Sequence, residues 1–278
     1  MDKRTILITG CSSGIGFDGA ITLAQRGWRV LATCRQEKDC ARLQEMGLES
    51  FVLDYASKES IREGFEETMS RTDGSLYALF NNGAHGFLGA VEDTPVDALR
   101  EIFEVNFFGY HELTKLVIPV MRKQGYGRIV QNSSILGFTT LPWRGAYNST
   151  KFALEGLSDT LRIELRNTGV YISLIQPGPI GTKIRVNTRR HFEKWIDWET
   201  SPFADDYKNR LIPRLYQESG KKDPFELPAS AVTKVLIHAL EAKRPKEKYR
   251  VTFPTQFMAV MKRILPTSAV DRILAKQL

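Results

Sequence analysis

"TILITGCSSGIGFDGA" occupies residues 5–20. Its first residues are apolar and β-branched, a strand-length run. Glycines follow at Gly10, Gly14 and Gly16, and a helical pattern begins near residue 15. Glycine at such a corner permits a tight turn and lets a pyrophosphate approach the free backbone N–H groups of a helix N-terminus. The spacing is G-x-x-x-G-x-G, not the commoner G-x-G-x-x-G. An apolar strand, a glycine loop and a helix in direct succession predict a nucleotide site.

The chain repeats this alternation. Strand candidates are "TILITG", "RVLATC", "ESFVLD", "LYALFNN", "GRIVQNS" and "VYISLIQP". Between them lie amphipathic stretches near 15–26, 38–46, 58–70, 97–123 and 147–167. Almost wholly apolar strands, each followed by a helix, predict a parallel sheet covered on both faces. The expected fold class is therefore α/β, a single-domain doubly wound Rossmann fold. Three parts are expected: a cofactor-binding and catalytic core over 1–182, a lid over 183–228, and a C-terminal helix, strand and basic tail over 229–278. "KYRVTFP" is the strand candidate of that last part.

With 278 residues, 42% hydrophobic and 26% charged, the composition is that of a soluble globular protein. The N-terminal apolar run is too short for a signal-peptide core. Three cysteines, odd in number and without metal spacing, predict reduced thiols and a cytoplasmic location. Residues 241–278 hold nine Lys/Arg and three Asp/Glu, nearly the whole net charge of +7. A near-neutral remainder argues against nucleic acid as a partner, and the tail is expected to be peripheral to the fold.

The end of the second strand selects the dinucleotide. An acidic side chain there holds a ribose 2′-hydroxyl, whereas an arginine suits a 2′-phosphate. Cys34 stands where the acid would be and Arg35 follows, so NADP(H) is expected, with Lys38 as a further candidate phosphate contact. Asp54, at the end of the third strand, either touches the adenine or caps the next helix.

Further along, "YNSTK" puts Tyr147 and Lys151 four residues apart, on one helix face. Alone, that spacing is common. Together with "TGCSSGIG", "NNGA" (81–84), "VNFFG", "NSS" and "PGPIGT" (177–182), it resembles the short-chain dehydrogenase/reductase family over roughly residues 4–182. Within that family, "CSSGIG", "ATCR" and "RGAY" look most like the NADP-dependent hydroxysteroid/retinol-type dehydrogenases and bacterial aldehyde reductases. "NNGA" departs from the family's order by exchanging its last two residues.

The resemblance implies an oxidoreductase that interconverts a carbonyl and an alcohol. Tyr147 would be its general acid/base, Ser134 would bond the substrate oxygen, and Asn106 would hold a water that links Lys151 to solvent. The resemblance also places Tyr147 and Lys151 against the cofactor, Lys151 on the nicotinamide ribose. Ser12, Ser13, Ile15, Asn82, Gly83, Pro177, Gly178, Ile180 and Thr182 would line the cofactor beside the three loop glycines and Asp54. Tyrosine titrates near pH 10, about three units too high for a base at neutral pH, and an adjacent ammonium favours its phenolate.

Phe192, Trp195, Trp198, Phe203 and Tyr207 cluster where the alternation stops, with Trp143 just before the tyrosine. They either line a pocket for an apolar substrate or pack the lid onto the body; long charged side chains there suggest a mobile lid. Phe257, Val260, Met261, Ile264 and Leu265 form an apolar helical stripe in the basic tail. That stripe would lie on an anionic membrane or pack on the body or a partner subunit. Pairing through 97–123 and 147–167, as the family does, implies a homodimer or homotetramer. The histidines (His85, His111, His191 and His238) show no metal-ligand spacing, so no metal is expected.

Overall fold

Ile6, Leu7 and Ile8 have no exposed surface, because β1 (Thr5–Ile8) runs inside a parallel sheet with helices on both faces. The computed structural model describes residues 4–216 and 223–277. After β1 come α1 (Gly14–Gln25), β2 (Arg29–Cys34), α2 (Glu37–Glu45), β3 (Glu49–Val52), α3 (Lys58–Arg71) and β4 (Ala78–Asn81). Then follow α4 (Val96–Phe103), α5 (Gly109–Gln124), β5 (Gly127–Asn132), α6 (Gly145–Glu164) and β6 (Val170–Gln176). The described lid residues hold α7 (Ile184–Trp195), α8 (Ala204–Asp206) and α9 (Ile212–Leu215). The C-terminal part adds α10 (Ser230–Glu241), β7 (Lys248–Arg250), α11 (Phe253–Ile264) and α12 (Thr267–Leu274). Residues 217–222 of the expected lid, residues 1–3 and residue 278 lie outside the described part.

Seven strands pair in parallel in the order β3-β2-β1-β4-β5-β6-β7. Alternate side chains serve opposite faces. Ile6, Ile8, Val30 and Phe80 pack beneath α1 and α10 with Leu23 and Leu236, whereas Leu7, Leu31, Leu79 and Ile129 meet Leu113, Val117 and Leu154 of α5 and α6. The order reverses between β1 and β4, and the crevice beyond their C-terminal ends is the general ligand position of such sheets.

Two expectations for the tail are corrected. "KYRVTFP" is a strand only as far as Arg250, because Thr252 and Pro254 open α11. The tail is also not wholly peripheral: β7 is the seventh strand, and Tyr249 within it is 6% exposed. Among the described residues no helix is long and apolar enough to cross a membrane.

Candidate active site

The glycine loop is held by contact. Gly10, at φ 70°, lies so close to the end of β4 that an added Cβ would stand 2.5 Å from Gly83 Cα. An added Cβ on Gly16 would meet Gly10 O at 2.4 Å. Ser13, the N-cap of α1, makes no side-chain cap, and the first turn carries no acidic residue. Ser12, Ser13 and Ile15 are half-buried around this end. Uncapped N–H groups, a positive dipole end and small residues in front of them suit a pyrophosphate. On these observations the residues present fit a dinucleotide.

Around the cradle, several expected contacts turn out to have structural duties. The amides of Asn82 and Gly83 both donate to Thr9 Oγ1, at 2.9 and 3.2 Å, and are not free for a ligand. Asn82's side chain instead donates to Thr9 O at 3.0 Å and accepts from Asn132 at 2.8 Å, tying the glycine loop to β5. Asp54 accepts from Ala56 N at 3.0 Å, and the cap of α3 is Ser57, not Asp54. Thr182 lies over Gly14, with its Cγ2 3.1 Å from where a Cβ would be. Pro177 O accepts from Ile135 N at 2.7 Å, Gly178 abuts Thr252, and Ile180 pairs with Leu227.

Arg35 and Lys38 are exposed beyond β2, and Arg35 makes no hydrogen bond or ion pair among the described residues. One neighbour escaped the sequence reading. Arg42 donates to Ser12 O at 2.5 Å and lies over the Phe17 ring, so it braces the glycine loop from α2. Its i+4 spacing from Lys38 is the signal that would have found it.

The four residues expected to do the chemistry converge. A π-helical turn, Glu104–Phe108, separates α4 from α5, and such turns are frequent at functional sites. Asn106 lies in it, fully buried. Its Nδ2 donates to His85 O at 2.9 Å, and its Oδ1 accepts from His85 N at 3.1 Å. Thr150 Oγ1, one residue before Lys151, is 3.4 Å from the same amide. Lys151 Nζ donates to Asn132 O at 2.8 Å and lies 5.2 Å and 5.8 Å from the Tyr110 and Tyr147 ring centres. Ser134 begins a 3-10 turn by accepting from Leu136 N at 3.1 Å, and its hydroxyl acts on the Tyr147 phenol.

Burial pushes the Tyr147 phenol up to about 12, with the Ser134 hydroxyl pulling the other way. Burial also brings the Lys151 ammonium down to about 7, partly offset by the Glu155 carboxylate. Glu155, one turn further along α6, is 6% exposed; it accepts from Gln176 at 2.9 and 3.0 Å and from Lys248 at 3.0 Å. Ammonium support for a phenolate is present below the lysine pKa and is lost as pH rises through it. Glu155→Gln removes a charge that raises this pKa. The alkaline limb of kcat/KM should therefore move to lower pH, and a pH–rate profile with an unmoved limb refutes the coupling.

His85, Glu101 and His191 also meet, which their sequence positions did not foretell. The two rings stack with centres 3.7 Å apart and planes 8° apart, and His191 Nδ1 is 2.8 Å from Glu101. An ion in the plane of one ring lies out of the plane of the other, and Lys194 already bonds Glu101. The cluster thus fastens α7 to the body. Glycines assist: a Cβ on Gly86 would meet Thr188 Oγ1 at 2.5 Å.

Of the lid aromatics, Phe192 and Tyr207 are 3% and 0% exposed, and Tyr207 bonds Ala90 N at 2.7 Å and Asp93 at 2.8 Å. These two pack the lid onto the body. Trp143, at φ 64°, is half-buried beside Tyr147 and packs on Phe203.

Comparison with known proteins agrees with this fold. A family profile described as "short chain dehydrogenase" matches residues 4–193. The oxidoreductase YbbO of Escherichia coli K12 is 38% identical over 272 residues, covering 98% of this chain and 94% of that one. The 17-beta-hydroxysteroid dehydrogenase type 6 of Rattus norvegicus is 33% identical over 291 residues, covering 99% and 89%. A short-chain dehydrogenase/reductase from Burkholderia phymatum, solved in complex with NAD, superimposes with a TM-score of 0.76 at 26% identity, covering 94% and 92%.

Proposed function

From the premise that the chain belongs to the short-chain dehydrogenase family and is an oxidoreductase of the hydroxysteroid/retinol dehydrogenase-like type, we propose that it is an NADP(H)-dependent enzyme interconverting an apolar aldehyde or ketone with its alcohol. The observation that carries this reading is the convergence of Ser134, Tyr147, Lys151 and Asn106 beyond the C-terminal ends of β4 and β5.

When bound, the nicotinamide supplies or accepts the hydride. The chain's own part is the proton. Tyr147 exchanges it with the substrate oxygen, which Ser134 holds by a hydrogen bond that strengthens as charge develops there. Lys151, close to the ring, favours the phenolate while it carries its charge. Asn106, clamped to the His85 backbone, keeps the helix open beside Thr150 and Lys151. Loss of Tyr147's hydroxyl is the decisive test and is taken up in the Discussion. A non-catalytic nucleotide sensor on this fold is the weaker reading, because all four positions retain their reactive groups.

NADP(H) is favoured over NAD(H) because Cys34 ends β2 and the next side chain, Arg35, is an exposed guanidinium unpaired among the described residues. Arg35→Ser should raise the KM for NADPH by about 10–100-fold, the value of one or two charge-assisted hydrogen bonds, with little change for NADH. Steady-state kinetics with both cofactors measure it, and an unaltered NADPH preference removes Arg35 from the phosphate site.

An apolar substrate is supported by half-buried Trp143, Trp195 and Trp198, which share one apolar cluster with Tyr147. Exposed Phe108, Phe152 and Ile163, on the helical stretch of α4 to α6, support a homodimer or homotetramer built through those helices. Three free, buried thiols agree with a cytoplasmic setting.

A further inference from the structure

α11 packs with one face only. Met258 and Ala259 are buried, and Met258 meets Val270 and Leu274 of α12 together with Ile135, Phe138 and Leu141 from the segment after Ser134. At about 100° per residue, Phe253, Phe257, Val260 and Ile264 fall on one line along the opposite side. Their exposures are 61%, 41%, 53% and 65%. Phe225, itself 61% exposed, extends the line: its ring centre is 5.4 Å from that of Phe253, which is 6.0 Å from that of Phe257. Scattered apolar residues on a surface are ordinary, but a contiguous ridge of five marks an interaction site.

Charge indicates what the ridge meets. Residues 250–277 carry five Lys/Arg and a single acidic residue, Asp271. Arg250 precedes the helix and Arg263 follows Val260 by three positions, and both are exposed. A second copy docked by two-fold symmetry would bring this same basic surface against itself. An anionic bilayer has the opposite sign and accepts an apolar ridge at its headgroup–acyl boundary.

We propose that the outer face of α11, extended by Phe225, docks on an anionic lipid surface, the ridge entering the interface while the flanking arginines meet lipid phosphates. α11 is fixed for this duty by its inner face. Thr252 abuts Gly178, and Lys262 Nζ donates to Phe138 O. The docking face thus belongs to the end of the molecule that carries Ser134 and the 177–182 loop. The proposal does not depend on the catalytic reading, since lipid binding is measured without turnover.

Truncating the tail would uncover Ile135, Phe138 and Leu141, so the test uses point substitutions in the full chain. Wild type should co-sediment with vesicles of equal parts phosphatidylglycerol and phosphatidylcholine, bind phosphatidylcholine alone weakly, and be released by high salt. The Phe253→Ser, Phe257→Ser double variant should bind at least about tenfold less, with its melting temperature and its mass in sedimentation unchanged. Arg263→Glu should weaken binding to the charged vesicles only. No binding by wild type overturns the proposal, as does equal binding by the double variant. A double variant that alters the oligomer mass instead assigns the ridge to a subunit contact and equally overturns it.

Discussion

Tyr147→Phe is expected to lower kcat for carbonyl reduction by at least about a thousandfold, the upper part of the range for a positioned general acid. Only the hydroxyl is lost. The ring keeps its place beside Trp143 and Ala146 in the lid-side core, so the fold should not respond. Ser134 retains its bond from Leu136 N, and no buried partner is stranded. NADPH affinity should change only a few-fold, because the glycine cradle and Arg35 are untouched. Fluorescence titration of NADPH beside single-turnover kinetics separates the two effects. A variant that binds NADPH and still turns over within tenfold of wild type would remove Tyr147 from the chemistry. One that loses both would show that the hydroxyl supports the cleft rather than the proton transfer.

How far the sequence could be read follows from where each constraint lies. The glycine loop, the strand alternation and the Tyr147–Lys151 spacing are local, and each had a signature within about ten residues. The sheet and the cradle follow from them. What escaped notice depends on contacts across the chain. Asn82 binds the glycine loop and β5, Arg42 reaches Ser12 O from another helix, and Glu155 supports Lys151 while gripping Gln176 and Lys248. Only Glu155's place four residues after Lys151 has a sequence period; its grip on Gln176 and Lys248, like the contacts of Asn82 and Arg42, has none.

The histidine stack shows the same limit. His85 and His191 are separated by more than a hundred positions, and only the docking of α7 brings them together. The aromatic lid was legible as composition but not as geometry, so Phe192 and Tyr207 read equally well as pocket or packing until their burial was known. The tail misled for a related reason. Charge density suggested a peripheral appendage, yet β7 lies inside the charged stretch and pairs with β6 through its backbone, which composition does not report.

Gly16→Ala is expected to damage both the fold and the cofactor cradle. Gly16 lies within α1, so backbone freedom is not what it supplies; the space is. A Cβ there would stand 2.4 Å from Gly10 O and 2.7 Å from Asn82 Nδ2, with backbone on one side and a doubly bonded amide on the other. Neither neighbour can yield cheaply. Gly10 is itself pressed on Gly83, and Asn82 is tied to Asn132, so the displacement must pass to the first turn of α1. Overpacking of this kind costs about 1–3 kcal/mol of stability. Because the displaced atoms are the anion cradle, NADPH affinity should fall at least about tenfold as well. Gly27→Ala supplies the control. It carries the conformational penalty of φ 86° but meets nothing within 4 Å and lies at the far end of α1. It should destabilise by about 1 kcal/mol while leaving NADPH affinity unchanged. Thermal melting together with NADPH titration of both variants decides the matter. If Gly27→Ala weakened NADPH as much as Gly16→Ala, the loss would reflect general destabilisation, and close approach at the glycine loop would no longer explain the site.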